Sequence, residues 1–155
     1  MNEPEAFDHL LKRAMLNWDI TPDVDSPRPV RINTWQLGGT RVTDLLGAGI
    51  RARRGARHRA LDGGDYVCLV CFFGGQAQIA SNESERAFVA GDIGVWRNVG
   101  DAALDVGDWS DQLVIVMPEV QFKTYLKLPL LGNQWVSAGN STTGKLIRNF
   151  FETMR

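Results

Sequence analysis

The stretch Glu85–Trp96, ERAFVAGDIGVW, consists of two short apolar runs joined by Ala90, Gly91 and Asp92. Each run has the length and apolar content of a β-strand, and a Gly-Asp pair is a common turn between strands. Short strands joined by such corners are typical of small β-barrels and sandwiches. The stretch therefore predicts an all-β core whose interior could hold a metal, a sugar or another small ligand.

The same pattern extends from about residue 30 to residue 118. Short apolar runs alternate there with turn residues such as Gly, Asp and Asn. The nine predicted strands are RINTWQL, RVTDLL, AGIRARR, DYVCLVCFF, QAQIAS, RAFVA, DIGVWRN, AALDVG and DQLVIVM. Many short strands with turn signals between them predict a barrel or a sandwich.

Two amphipathic helices are predicted to flank the strands. The first spans residues 4–18, because capping signals precede a run whose apolar residues share one helix face. The Pro-rich and Asp-rich connector after it, DITPDVDSPRP, is predicted to lack regular structure. The second helix, 144–155, lies in a C-terminal helical part of about 119–155. Its apolar stripe consists of Leu146, Ile147, Phe150, Phe151 and Met154.

The composition predicts the class of protein. The chain has 155 residues and a formal net charge of −1, which predicts one domain over 1–155 and no general attraction to nucleic acid or anionic lipid. No apolar run approaches the roughly 20 residues of a spanning helix, and the N-terminus begins acidic. We therefore expect a cytoplasmic protein with no membrane contact.

The two cysteines, Cys68 and Cys71, lie in the β-branched and aromatic run YVCLVCFF. A redox pair of this spacing sits at a helix N-terminus, whereas this run predicts a buried strand. An offset of three places the two thiols on opposite faces of that strand. We expect both cysteines to be buried and inert.

The inventory of metal ligands and nucleophiles is poor. The two histidines, His9 and His58, cannot supply the imidazoles of a barrel metal site, so no metal and no cofactor is predicted. No nucleophile elbow is present. Acid-base chemistry at Glu83, Glu85 or Asp111 stays open, although these residues lie in predicted exposed turns. We assign no catalytic residue.

The tract Arg51–Arg59 carries five arginines in nine positions. Guanidinium groups bind carboxylates and phosphates through paired hydrogen bonds, so the tract could form an anion clamp. Charged residues also protect a sheet edge from pairing with another chain. We interpret Arg53 and Arg54 as solvated edge residues and leave both interpretations open for Arg57 and Arg59.

Three tracts of the chain resemble the N-terminal sensor domain of AraC/XylS-type transcriptional regulators. They are Asp65–Gln78, Phe88–Val95 and Asp111–Pro118, and the resemblance extends from about Phe7 to Val120. In that family a tyrosine-led strand runs into a Gly-containing turn, a Pro-Gly-Asp corner precedes an apolar strand, and a Gln-Leu-Val-like strand ends in proline. Ala90 stands where the family has the proline of the corner.

The resemblance implies a cupin-like β-barrel of the jelly-roll type that binds a small effector. It also implies a homodimer, formed through the stripe of the C-terminal helix, and a following DNA-binding domain of two helix-turn-helix units. The sequence ends at Arg155, so that DNA-binding domain is absent from these residues and no direct nucleic-acid contact is expected of them. Either an excised sensor domain or a free-standing relative would fit.

The expected effector site has aromatic walls and an anion partner. Trp35, Tyr66, Cys68 and Trp96 are the predicted walls, although large aromatics also serve as plain core residues. Arg59 or Arg57 is the predicted anion partner, so we expect an aromatic or carboxylate-bearing effector rather than a sugar. The rival interpretations are a small metal-independent cupin enzyme, isomerase-like, and a structural barrel with a filled interior.

Overall fold

The computed structural model describes residues 9, 11–12, 14–22, 31–47, 49–81, 84–126, 134–137 and 141–155. The strands are β1 (Asp19–Pro22), β2 (Arg31–Leu37), β3 (Thr40–Gly47), β4 (Ile50–Arg54), β5 (Tyr66–Ser81), β6 (Glu85–Val89), β7 (Asp92–Arg97), β8 (Ala102–Pro118) and β9 (Gln134–Ser137). The helices are α1 (Ala56–Asp62), α2 (Glu119–Leu126) and α3 (Thr142–Thr153). The described residues 9, 11, 12 and 14 are also helical, inside the predicted first helix.

The described strands form one antiparallel sheet with the order β1-β4-β8-β5-β7-β9, in which β2 joins β3, β3 also joins β8, and β6 joins β5. Two long strands run through its centre. The first half of β5 pairs with β7 and the end of β8, and its second half pairs with β6 and the start of β8. Likewise, β8 pairs first with β4 and then with β3. The sheet therefore divides into two walls that share β5 and β8.

The bend between the two walls depends on Gly74 and Gly75. The pairing of β5 with β8 shifts register on both sides of this dipeptide. Gly75 has φ 75°, and a Cβ there would lie 2.0 Å from the Trp109 carbonyl oxygen. Only glycine fits such a position. The bend turns the walls face to face, so that Phe72 of one stacks on Phe88 of the other at 5.1 Å.

Two apolar clusters result from this geometry. The larger cluster fills the space between the walls and includes Trp18, Cys68, Phe72 and Trp96. The smaller one lies on the outer face of the wall formed by the first half of β5, where α3 covers it with Phe151. Successive side chains of β5 therefore point alternately into the larger and the smaller cluster.

Four predicted strands are in fact halves of two long ones. The glycines of DYVCLVCFFGGQAQIAS form a bulged bend within β5 instead of a turn, and GDWSD lies inside β8. Local residues cannot distinguish a bend from a turn, because both need glycine at positive φ. The partner strand decides, and here β8 follows β5 through the bend.

Three further elements differ from the sequence prediction. The connector predicted to be irregular contributes β1, which pairs with β4. The arginine tract, predicted as a strand edge and loop, contains α1, where Nδ1 of His58 accepts from the Gly55 amide at 3.0 Å. The part predicted to be helical from about 119 contains β9, which pairs with β7. Pairing with a distant strand overrides local propensity in β1 and β9, whereas the cap of α1 is formed by residues of the tract itself.

Candidate functional site

The barrel interior contains a cavity of about 30 Å³. Its lining residues are Met15, Leu16, Trp18, Cys68, Val70, Phe72, Ile79, Trp96, Leu104, Gln112 and Val114. Gln112 is the one amide side chain among them. A space of this size accommodates about one or two water molecules, whereas sites for organic ligands are roughly tenfold larger. In this conformation the chain's own side chains fill the barrel.

One wall of the cavity is formed by the N-terminal segment Met15–Trp18. The Trp18 ring packs on the Trp96 ring with centroids 5.5 Å apart. The backbone amide and Nδ2 of Asn17 both donate to Oδ1 of Asp62, at 2.9 and 2.8 Å. This segment is not a barrel strand. Its contacts with Trp96 of the barrel and with Asp62 of α1 hold it in place.

A buried ion pair stands beside the two tryptophans. Nη2 of Arg54 donates to Oδ2 of Asp62 at 2.6 Å, and the two side chains are 0% and 1% exposed. The guanidinium carbon lies 5.3 Å from the ring centroid of Trp18 and 5.3 Å from that of Trp96. Nε and Nη1 of Arg54 have no hydrogen-bond partner among the described residues.

The interpretation of Arg54 as a solvated edge residue is therefore wrong, whereas Arg53 is exposed as expected. The alternation along β4 was the available signal. Ile50, Ala52 and Arg54 share the inward face, and Arg51 and Arg53 share the outward face. The number of arginines in the tract does not reveal this alternation.

Two of the six predicted ligand residues line the cavity, namely Cys68 and Trp96. Tyr66 lies instead at a polar surface groove of about 360 Å³, with Lys12 and Arg41. Trp35 is 37% exposed on β2 and is not a wall of the cavity.

Arg57 and Arg59 lie on α1, outside the cavity lining. Arg57 pairs with Asp19 at 2.5 Å, both side chains being largely exposed. Arg59 donates to the Gly100 carbonyl oxygen at 2.7 Å and to Oδ1 of Asp101 at 3.1 Å. Hydrogen bonds from His58 and Arg57 lower the pKa of Asp19. Both arginines thus connect α1 to neighbouring segments of the chain. That either of them binds an anionic ligand remains a prediction.

The two cysteines are free and buried, as predicted. Cys68 belongs to the cluster between the walls and Cys71 to the cluster under α3, so their thiols lie on opposite faces of β5. Burial raises the pKa of Cys68 to about 12 and that of Cys71 to about 11. Neither forms a reactive thiolate near neutral pH.

The apolar stripe of α3 is divided between two environments. Phe151 is 2% exposed in the outer cluster, where Ile147 and Met154 also pack. Leu146 and Phe150 are 65% and 60% exposed. The helix therefore covers the barrel with one part of the stripe and presents the other part to solvent.

Among the described residues, no group of three or more His, Cys, Asp and Glu side chains could hold a metal ion. Glu85 is exposed, and Asp111 accepts from Nη2 of Arg155 at 2.6 Å. Glu83 lies outside the described residues. No described helix has the length and apolarity to cross a membrane.

Comparisons with known proteins identify the fold. No protein-family model and no curated protein sequence matches the chain. The crystal structure of the AraC-like transcriptional activator CuxR matches with a TM-score of 0.77 and 13% identity. The match covers 97% of this chain and 55% of CuxR, so the chain spans about half of that regulator.

Cupin structures are also among the neighbours. An RmlC-like cupin with a double-stranded β-helix fold from Methanocaldococcus jannaschii matches with a TM-score of 0.44 and 10% identity, over 70% of this chain and 94% of that one. Ectoine synthase from P. lautus matches with a TM-score of 0.44 and 13% identity, over 74% and 80%. The chain is mainly β and shares the fold of the matched part of the AraC-like activator CuxR.

Proposed function

We propose that the chain is the ligand-sensing and dimerisation domain of an AraC-type transcriptional regulator and binds a small organic effector in the barrel without a metal. The observation that carries this proposal is the wall formed by Met15–Trp18, which separates an apolar interior from the polar groove. An apolar cavity with an aromatic pair and few polar groups has the composition of a small-molecule site. The fold shared with an AraC-like activator supports it further.

The small size of the cavity suggests how sensing would work. Outward movement of the Met15–Trp18 segment would make room for an organic molecule between Trp96 and Gln112. Binding would then exchange the Trp18–Trp96 contact for a ligand contact. Asn17 of this segment also donates hydrogen bonds to Asp62 on α1. Displacement of the segment would therefore alter the position of α1 on the outer surface of the barrel. A ligand shifts such an equilibrium by its difference in affinity for the two states.

The dimer proposal rests on the exposed part of α3. Leu146 and Phe150 form an apolar ridge next to the covered Phe151. A second copy of the same helix would bury this ridge in a two-fold interface. DNA contacts and promoter choice would belong to the remainder of the regulator, which would act in the cytoplasm.

A thermal-shift screen with sugars, aromatic acids and amines tests the sensor proposal. A ligand that binds only the native state raises the melting temperature. We expect a stabilising compound to act on the wild type and on Trp35→Leu, but not on Trp96→Leu, because Trp96 lines the cavity and Trp35 does not. If no compound stabilises the wild type, or if Trp96→Leu keeps the full response, the proposal is wrong.

The alternative is a small metal-independent enzyme, which would treat a stabilising compound differently from a sensor. An enzyme would convert a stabilising compound, whereas a sensor would release it unchanged. Mass spectrometry of the compound after prolonged incubation with protein distinguishes the two. Among the described residues, no specific arrangement of acid and base groups favours the enzyme.

A further inference from the structure

The unpartnered donors of Arg54 call for an acceptor. This side chain is 0% exposed and makes one described hydrogen bond, through Nη2 to Asp62. Its Nε and Nη1 atoms are buried without a partner among the described residues. Folded proteins rarely leave buried charged donors unsatisfied, since the lost hydration is not replaced. A ligand oxygen would satisfy them.

Arg54 does not line the cavity itself, but it packs against two tryptophans that do. Arg54 occupies the inward face of β4, with Ile50 and Ala52. Its guanidinium lies at the same distance from Trp18 and Trp96, and both rings line the cavity. The Trp18 ring therefore lies beside the Arg54 guanidinium, and displacement of this ring would leave a space that the donors border.

The positive charge of Arg54 favours an anionic ligand. Burial raises the pKa of Cys68, and the positive charge of the nearby Arg54 opposes this rise. The positive charge of Arg54 thus acts on a thiol that lines the cavity. Guanidinium groups bind carboxylates more strongly than neutral acceptors.

We propose that the effector is a small aromatic carboxylate, which stacks on Trp96 in the place of the Trp18 indole and places its carboxylate on Arg54. This inference rests on the proposed function, because it specifies the ligand of the same cavity. The aromatic ring would keep the contacts that the indole now makes with Trp96 and with the guanidinium. The anion partner is then Arg54 on β4, not Arg57 or Arg59 on α1.

The variant Trp18→Ala tests the proposal by opening the cavity. Indole-3-carboxylate and indole-3-carboxamide are matched probes that differ in charge. We expect calorimetry to show the acid binding Trp18→Ala about tenfold more tightly than the amide, since a charged acceptor strengthens the bonds to arginine. Equal affinity, or no binding of either probe, would overturn the proposal. If Trp18→Ala lacks a cooperative unfolding transition, Trp18→Leu replaces it in all measurements.

A charge-balanced control separates Arg54 from the other cations. In the Trp18→Ala background, Arg54→Met combined with Asp62→Asn removes the pair without leaving a buried charge. We expect the preference for the acid to disappear in this variant. A preference that persists would assign the anion to another residue, such as Arg41, and would overturn the role of Arg54.

The wild-type screen distinguishes failure of this inference from failure of the proposed function. A neutral sugar or amine that stabilises the wild type through Trp96 supports sensing and overturns the carboxylate. If the acid binds Trp18→Ala through Arg54 while nothing stabilises the wild type, the Arg54 site is supported and sensing by this chain is contradicted.

Discussion

Nη2 of Arg54 lies 2.6 Å from Oδ2 of Asp62, and water reaches neither side chain. Removing one partner of a buried pair leaves the other charge unpaired, which costs about 3–5 kcal/mol. We expect Arg54→Met and Asp62→Asn each to lower the free energy of urea unfolding by about this amount, and the double variant to lose less than the sum.

A surface pair between β4 and β8 serves as the control for this cycle. Arg51 and Asp105 lie 3.3 Å apart with 72% and 56% of their side chains exposed. Arg51→Met should therefore cost less than about 1 kcal/mol. Additive losses for Arg54→Met and Asp62→Asn would show that the two residues do not act as a pair.

The neighbours Phe150 and Phe151 provide a matched test of α3. Phe150→Asp should leave the unfolding free energy nearly unchanged and weaken the homodimer, because Phe150 is 60% exposed. Phe151→Asp should lower stability by at least about 3 kcal/mol, because Phe151 is 2% exposed in the outer cluster. Light scattering and urea titration separate the effects. A wild type that stays monomeric at high concentration contradicts the dimer.

Gly75→Ala tests the bend of β5. The new Cβ would meet the Trp109 carbonyl oxygen at 2.0 Å and force a left-handed φ on alanine. We expect a loss of at least about 3 kcal/mol, from strain and overpacking together. Gly38→Ala is the control, because Gly38 has φ 60° with no atom within 4 Å. It should cost about 1–2 kcal/mol. Equal losses would show that the bend tolerates a side chain.

The cysteines predict how stability changes at high pH. With folded-state pKa values of about 12 for Cys68 and about 11 for Cys71, the neutral thiols favour the native state. Their contribution is complete below the pKa of an unfolded thiol, near 8.5, and is lost as pH rises toward the folded values. Thiol reagents at pH 8 should label both cysteines only after unfolding. Rapid labelling of the native protein would contradict the burial of the thiols.

Much of the fold follows from residue patterns alone. Alternating apolar runs and Gly-Asp corners predicted the mainly β class, and YVCLVCFF predicted one buried strand with thiols on opposite faces. The amphipathic pattern near the C-terminus predicted α3. These features depend on the two-residue and 3.6-residue periods of the backbone, which each segment carries within itself.

The candidate site was decided by contacts between distant segments. Whether Gly74 and Gly75 end a strand or bend it depends on β8, which follows β5 through the bend. The burial of Arg54 depends on Trp18, Asp62 and Trp96, which lie in other elements. A charged side chain enters a barrel only where such partners offset its lost hydration. The alternation along β4 assigns Arg54 to the inward face, but a local pattern cannot contain those partners, so only the tertiary structure decided that this charge is buried.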